Sequence, residues 1–109
     1  MLDERQFQIY CDQAVTDLSN ALNAAAENFP FEADMNNGAL TIEMEEPPAK
    51  FVVSPNSPVK QIWVSAHLRS FKLDWAPAQN AFILPDSGQT LKQLIAAHIT
   101  QHLGEEVAL

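Results

Sequence analysis

The sequence predicts an α+β fold, a two-layer sandwich with N- and C-terminal helices packed on one face of a five- or six-stranded antiparallel sheet. Apolar residues recur at steps of three and four near both ends of the chain, the period of a helix with one buried face. Between those ends run short segments in which apolar and polar residues alternate, the period of a half-buried strand. Two helices suffice to cover the single apolar face that such an antiparallel meander presents. The 109 residues supply one hydrophobic core and contain no linker, so one domain is expected over residues 1–109.

The first helix is expected from Glu4 to about Glu27. Phe7, Cys11, Ala14, Val15, Leu18, Ala21, Leu22 and Ala25 share one side of it. Leu2 or Asp3 is placed near its cap, and Asp3 and Glu4 set negative charge at its start. Pro30 marks its end. Phe31 to Asp34 reads as a short strand, and Asn36-Asn37-Gly38 supplies a hairpin turn that tolerates positive φ. In the next strand Leu40, Ile42 and Met44 alternate with Thr41, Glu43 and Glu45. Pro47-Pro48 interrupts the ladder, and Lys50 to Val53 forms a third strand that Ser54-Pro55-Asn56-Ser57-Pro58 terminates.

Lys60 to Ala66 is the fourth strand, with Ile62, Val64 and Ala66 on one side and Gln61, Trp63 and Ser65 on the other. With helices on one face only, Trp63 points away from the core, either as a protein contact or packed on the side chains of a neighbouring strand. Phe71, Leu73 and Trp75 alternate with Lys72 and Asp74 in a fifth strand. Pro77 to Asn80 is a loop, and Ala81 to Leu84 is short enough for an edge strand. Pro85-Asp86-Ser87-Gly88 turns the chain into a second helix, from Gln89 or Thr90 to Leu103, with Gly104 as its stop.

The formal net charge is -8, and ten of the 14 carboxylates but only one basic residue, Arg5, fall within residues 1–46. This distribution argues against nucleic-acid binding, which needs clustered Lys and Arg to replace phosphate counterions. It suits a cation or a basic protein surface as partner, or solubility alone. No apolar run approaches the roughly 20 residues that cross a bilayer, and Met1 to Tyr10 has neither the basic flank nor the apolar core of a signal peptide. No membrane association is expected, and the protein is expected to act in the compartment where it is made. The single cysteine, Cys11, sits on the apolar helix face and reads as a buried small hydrophobe.

No phosphate-binding glycine loop, nucleotide fingerprint, paired cysteines or zinc-protease signature is present, and no local motif supports a nucleophilic triad. His98 and His102 stand one helical turn apart, where they can approach one ion. Two imidazoles are too few for a structural site, and a half-buried, hydrogen-bonded His98 is the commoner outcome of such a position. His67 reads as a loop residue. Glu4, Gln8 and Asp12 form an i, i+4, i+8 stripe along the first helix, with Asp17 off that line. Glu32 and Asp34 share one side of the first strand, and Glu43 and Glu45 one side of the second. Such carboxylates either bind hard cations weakly, with water completing the shell, or form a solvated face.

Five features occur together in order: the acidic first helix; Asn36-Asn37-Gly38-Ala39-Leu40-Thr41-Ile42; the strand Lys50 to Val53; Pro58 followed by Gln61-Ile62-Trp63-Val64; and Asp86-Ser87-Gly88-Gln89-Thr90-Leu91 opening the last helix. Over essentially the whole chain this resembles the frataxin family, specifically its short bacterial members. The resemblance implies a helix-sheet-helix sandwich whose acidic ridge binds iron (Fe2+/Fe3+) weakly. It implies docking on the cysteine desulfurase and scaffold proteins that build iron-sulfur clusters, with the family member modulating the rate of assembly rather than acting as an enzyme. A cytoplasmic location is expected from the lack of a targeting signal, and a monomer is expected. The implied metal residues are Glu4, Asp12, Glu32 and Asp34, to which Asp17 is added, and the implied protein contacts are Gln61 and Trp63.

The sequence also departs from that family. Ser19, Asn20, Asn23, Ala24, Ala26, Asn28 and Pro30 stand where its ridge is dense in carboxylates, and Gln8 where bacterial relatives often have histidine. Ser54-Pro55-Asn56 replaces an Asn-basic-Gln segment, His67-Leu68-Arg69-Ser70 lacks paired glycines, and Phe82 occupies the region of a second tryptophan. The thinned ridge leaves open an interaction module with little or no iron binding. An iron oxidase would need at least three converging ligands.

Overall fold

The chain enters its first helix, α1 (Glu4–Ala25), through a reciprocal cap. Asp3 Oδ1 accepts the Gln6 backbone N–H at 2.7 Å while Gln6 Oε1 accepts the Asp3 N–H at 3.2 Å, satisfying two of the donors that a helix start leaves without intrahelical partners. The structure is a computed structural model that describes residues 2–36, 38–45, 48–67 and 69–109. Phe7, Cys11, Val15, Leu18 and Leu22 are buried along one side of α1. The helix closes at Ala26, a residue short of the expected Glu27.

Six strands follow as β1 (Phe31–Asn36), β2 (Ala39–Met44), β3 (Ala49–Asn56), β4 (Gln61–Ala66), β5 (Arg69–Ala76) and β6 (Ala81–Ile83). They pair antiparallel in chain order, so the sheet is a simple meander. Gly38, at φ +82°, takes the left-handed conformation expected of the first hairpin turn. Asn37 of that turn and Pro47 of the expected Pro-Pro break lie outside the described residues.

Three strands run longer than the alternation predicts. β1 continues through Met35 and Asn36, which pair with Leu40 and Ala39. β3 runs through the segment expected to terminate it, with Pro55 opposite Ile62 and Asn56 opposite Gln61. A proline costs a strand only one donor, and here the ladder ends one residue later, so the loss is small. A 3-10 turn at Ser57–Val59 then reverses the chain, with Lys60 held at φ +53° before β4. β5 extends outward to Arg69 and Ala76.

The core lies between this sheet and the two helices. Leu40, Ile42, Phe51, Val53, Ile62 and Leu73 are fully buried on the inner face. α2 (Leu91–Leu103) lays Leu91, Leu94, Ile95, His98 and Ile99 inward. Thr90 and Gln93 cap its start reciprocally, and Gly104 at φ +73° ends it in the left-handed conformation that a side chain with a Cβ resists. Beyond that cap the chain folds back: the Val107 N–H donates to Thr100 Oγ1 at 3.0 Å and the Val107 side chain is buried. Neither described helix is long and apolar enough to cross a membrane.

Aromatic contacts tie α1 to the far strands. Phe7 meets Phe82 edge-on with ring centroids 5.9 Å apart, and Tyr10 stacks on Trp75 at 4.4 Å with planes 7° apart. Cys11 is buried beneath this helix, and desolvation, helped by the neighbouring Asp12 carboxylate, pushes its thiol up to about 11.

Leu18 is fully enclosed, so Leu18→Ala is expected to cost about 2–5 kcal/mol in a urea melt, as buried Leu truncations do. Thr90→Ala removes one cap and is expected to cost about 1 kcal/mol in the same assay. Equal losses for the two variants would contradict the division between core and cap.

Candidate functional site

Cross-strand partners in an antiparallel sheet project to the same face, so the register lays out the solvent side of the sheet directly. Trp63 on β4 stands between Ser54 of β3 and Lys72 of β5, and Gln61 stands between Asn56 and Asp74. The Trp63 indole N–H donates to Gln61 Oε1 at 3.0 Å, and Gln61 Nε2 donates to Asp74 Oδ1 at 2.9 Å. Lys72 Nζ lies 5.0 Å from the centre of the Trp63 ring, within reach of a cation–π contact. Trp63 nevertheless remains 38% exposed. The ring therefore packs on side chains of the neighbouring strand, one of the two expected roles, and keeps a face open to solvent. A depression of about 390 Å³ adjoins it, lined among others by Val52, Ser54, Ser65, Ser70 and Lys72.

The anionic candidates fall into three places. Glu4 and Asp12 are exposed on α1, on the flank from which Gln8 Nε2 donates to Ser57 Oγ at 2.9 Å. Asp17 is on the other flank, about 140° around the helix from Asp12 at roughly 100° per residue. It lines a cleft of about 400 Å³ together with Tyr10, Trp75 and Lys92. Glu32 and Asp34 are exposed on the outer face of edge strand β1. The Glu32–Glu43 pair sets two like charges directly opposite each other, with Lys50 across from Glu43 on the next strand.

Among the described residues, no three His, Cys, Asp or Glu side chains are arranged to hold a metal ion. The carboxylates present do not fit a closed iron centre.

A grouping that the sequence reading missed lies between β4, β5 and α2. His67, expected as a loop residue, sits in the β4–β5 connection at φ +52°. Its Nδ1 is 3.0 Å from Nδ1 of His98 and its Nε2 is 3.3 Å from Nδ1 of His102. The i, i+4 spacing on α2 was legible in advance. The partner 31 residues upstream was not, because nothing local to His67 indicates which helix end it meets. His98 is hydrogen-bonded as expected but more deeply buried, only 9% exposed, and burial, then His67, then Arg69 hold its pKa below the ordinary imidazole value.

The profile of the frataxin-like domain matches residues 1–105. Three bacterial proteins described as "Iron-sulfur cluster assembly protein CyaY" are similar along most of their length. That of Azotobacter vinelandii is 26% identical over 97 residues, covering 87% of each chain. That of Cupriavidus metallidurans is 24% identical over 114 residues, covering 99% of this chain and 96% of the relative. That of Dechloromonas aromatica is 27% identical over 108 residues and covers 99% of both. The solved frataxin of Psychromonas ingrahamii superposes with a TM-score of 0.84 at 20% identity, over 98% of this chain and 97% of that one, and shares its fold. With the domain profile covering nearly every residue, the chain belongs to the frataxin family.

Proposed function

We propose that this protein modulates iron-sulfur cluster assembly by docking on the cysteine desulfurase and its scaffold through the outer face of the sheet, with iron met only loosely at surface carboxylates. The observation that carries this reading is the ordered Trp63. Its indole is already fixed by Gln61 and Asp74 and flanked by Lys72, so a partner that covers it loses little side-chain entropy in doing so. Membership in the frataxin family and the cluster-assembly names of the CyaY relatives support the choice of partner.

The acidic N-terminal portion plays the complementary part. Its charge steers a basic surface toward the protein, and the repulsion between Glu32 and Glu43 falls when that surface or a cation arrives. Iron at Glu4, Asp12, Asp17, Glu32 or Asp34 is then a weakly held cargo. The dispersal of these residues favours a second reading in which docking alone accounts for the modulation.

Trp63→Ala is expected to weaken binding to the desulfurase–scaffold complex at least tenfold, about 1.4 kcal/mol, while changing the urea-melt stability by less than about 1 kcal/mol. Unchanged affinity would remove the sheet face from the mechanism. Raising salt from about 0.05 to 0.5 M is expected to weaken the same complex, since exposed charges are screened over that range. An NMR titration with Fe2+ is expected to broaden amides near Glu32, Asp34 and Glu43 before any others. Silence at every carboxylate position would leave the docking module without iron as the standing description.

A further inference from the structure

All three histidines of the chain meet in one place, and we infer that they form a proton-operated latch that fastens the C-terminal half of α2 to the β4–β5 connection and releases it in mild acid. Three rings are joined by two contacts, and those contacts limit how many protons they can hold. Four nitrogens face one another: His98 Nδ1 and His67 Nδ1 across 3.0 Å, and His67 Nε2 and His102 Nδ1 across 3.3 Å. A hydrogen bond between two imidazole nitrogens needs one N–H and one bare nitrogen. The four facing atoms therefore carry two hydrogens between them whichever tautomers are chosen. The two remaining nitrogens, Nε2 of His98 and of His102, add at most two more. The limit is four hydrogens, one above the three of the neutral rings.

With both contacts intact the trio thus holds at most one excess proton, where three free imidazoles at low pH hold three. The second and third protons must set an N–H against an N–H, and they break a contact. One charge is well accommodated: His67 as imidazolium donates from both nitrogens to its two neighbours. The surroundings reinforce the limit. Phe51 is edge-on to all three rings, at centroid distances of 5.0, 6.2 and 6.3 Å from His67, His98 and His102. Phe71 lies 5.0 Å from His98, so apolar walls replace water on those sides. The charged group facing the cluster from β5 is Arg69, whose guanidinium lies 5.1 Å above the Phe71 ring and disfavours further positive charge on His98. From β3, Lys50 precedes Phe51 and points to the outer face, and on the α2 side Glu105 and Glu106 lie exposed beyond Gly104.

The direction of the pH effect follows. Groups that take up fewer protons folded than unfolded stabilise the fold above the unfolded imidazole pKa of about 6.5, and that stability is lost as pH falls below it. Exclusion of two protons makes the opening constant of the latched segment rise toward a hundredfold per pH unit, against tenfold for one ordinary buried histidine. Opening frees Ile99 to Leu103 and the Val107 hook on Thr100, and uncovers the end of the core at Phe51.

The test is native-state amide exchange across α2 between pH 6 and 5, corrected for intrinsic rates, in the presence of EDTA. In the wild-type protein the opening constant of the last α2 turns is expected to approach a hundredfold increase over that unit. His102→Gln leaves one ring contact, and His67→Asn removes both while keeping a residue that adopts the left-handed conformation readily; each is expected to reduce the increase to about tenfold or less. Ring 15N spectra of the wild type are expected to show no more than one charge shared over the trio while α2 stays protected. Three independent one-proton titrations near the free imidazole pKa, or an equal pH response in wild type and both variants, would overturn the latch. Should His67→Asn fail to fold, the His102→Gln comparison and the ring spectra still decide the matter.

Discussion

The contact between α1 and the inner face of the sheet governs what the remainder of the molecule can do. Phe7, Cys11, Val15, Leu18 and Leu22 meet a surface built by Leu40, Ile42, Phe51, Val53, Ile62 and Leu73, and no polar side chain among them needs a buried partner. At about 25 cal/mol for each Å² of apolar surface removed from water, a stripe of this kind outweighs caps and surface pairs worth about a kilocalorie each. Because the meander has only one such face and the helices occupy all of it, the other face is left to water. The outward position of Trp63, on which the proposed docking rests, is a by-product of that one-sided packing.

The open face is organised rather than merely exposed. Trp63, Gln61 and Asp74 are linked by hydrogen bonds in sequence across two strands, and Lys72 closes over the ring. These contacts hold an aromatic in place without burying it. The carboxylates obey a different constraint. α1 turns Asp12 and Asp17 to opposite flanks, and β1 carries Glu32 and Asp34 on the sheet's outer side. The helix period and the strand alternation that build the core also keep these acids apart.

The elements most legible in the sequence were those whose signal is local. Leu40, Ile42 and Met44 alternate, Asp3 and Thr90 lie ahead of helical periods, and Gly104 follows one; each of these reports on its own neighbourhood. The strand ends were less legible because pairing, a long-range property, carries β3 through Pro55 once Ile62 stands opposite to it. Of the candidate site, the outward direction of Trp63 followed from period two, whereas its bond to Gln61 depended on rotamers. The histidine trio was illegible for a topological reason. His67 and His102 are 35 residues apart in the chain, and only the completed meander brings a strand connection to the end of the last helix.

The thiol of Cys11 gains a meaning from its location beneath α1. With its pKa raised by burial to about 11, the thiol stays protonated at neutral pH, and its 1% exposure shields it from reagents. The native chain is accordingly expected to react slowly with alkylating agents. Each labelling event counts an excursion in which the first helix has lifted, so the one sulfhydryl serves as a built-in clock for the very contact that holds the sandwich shut.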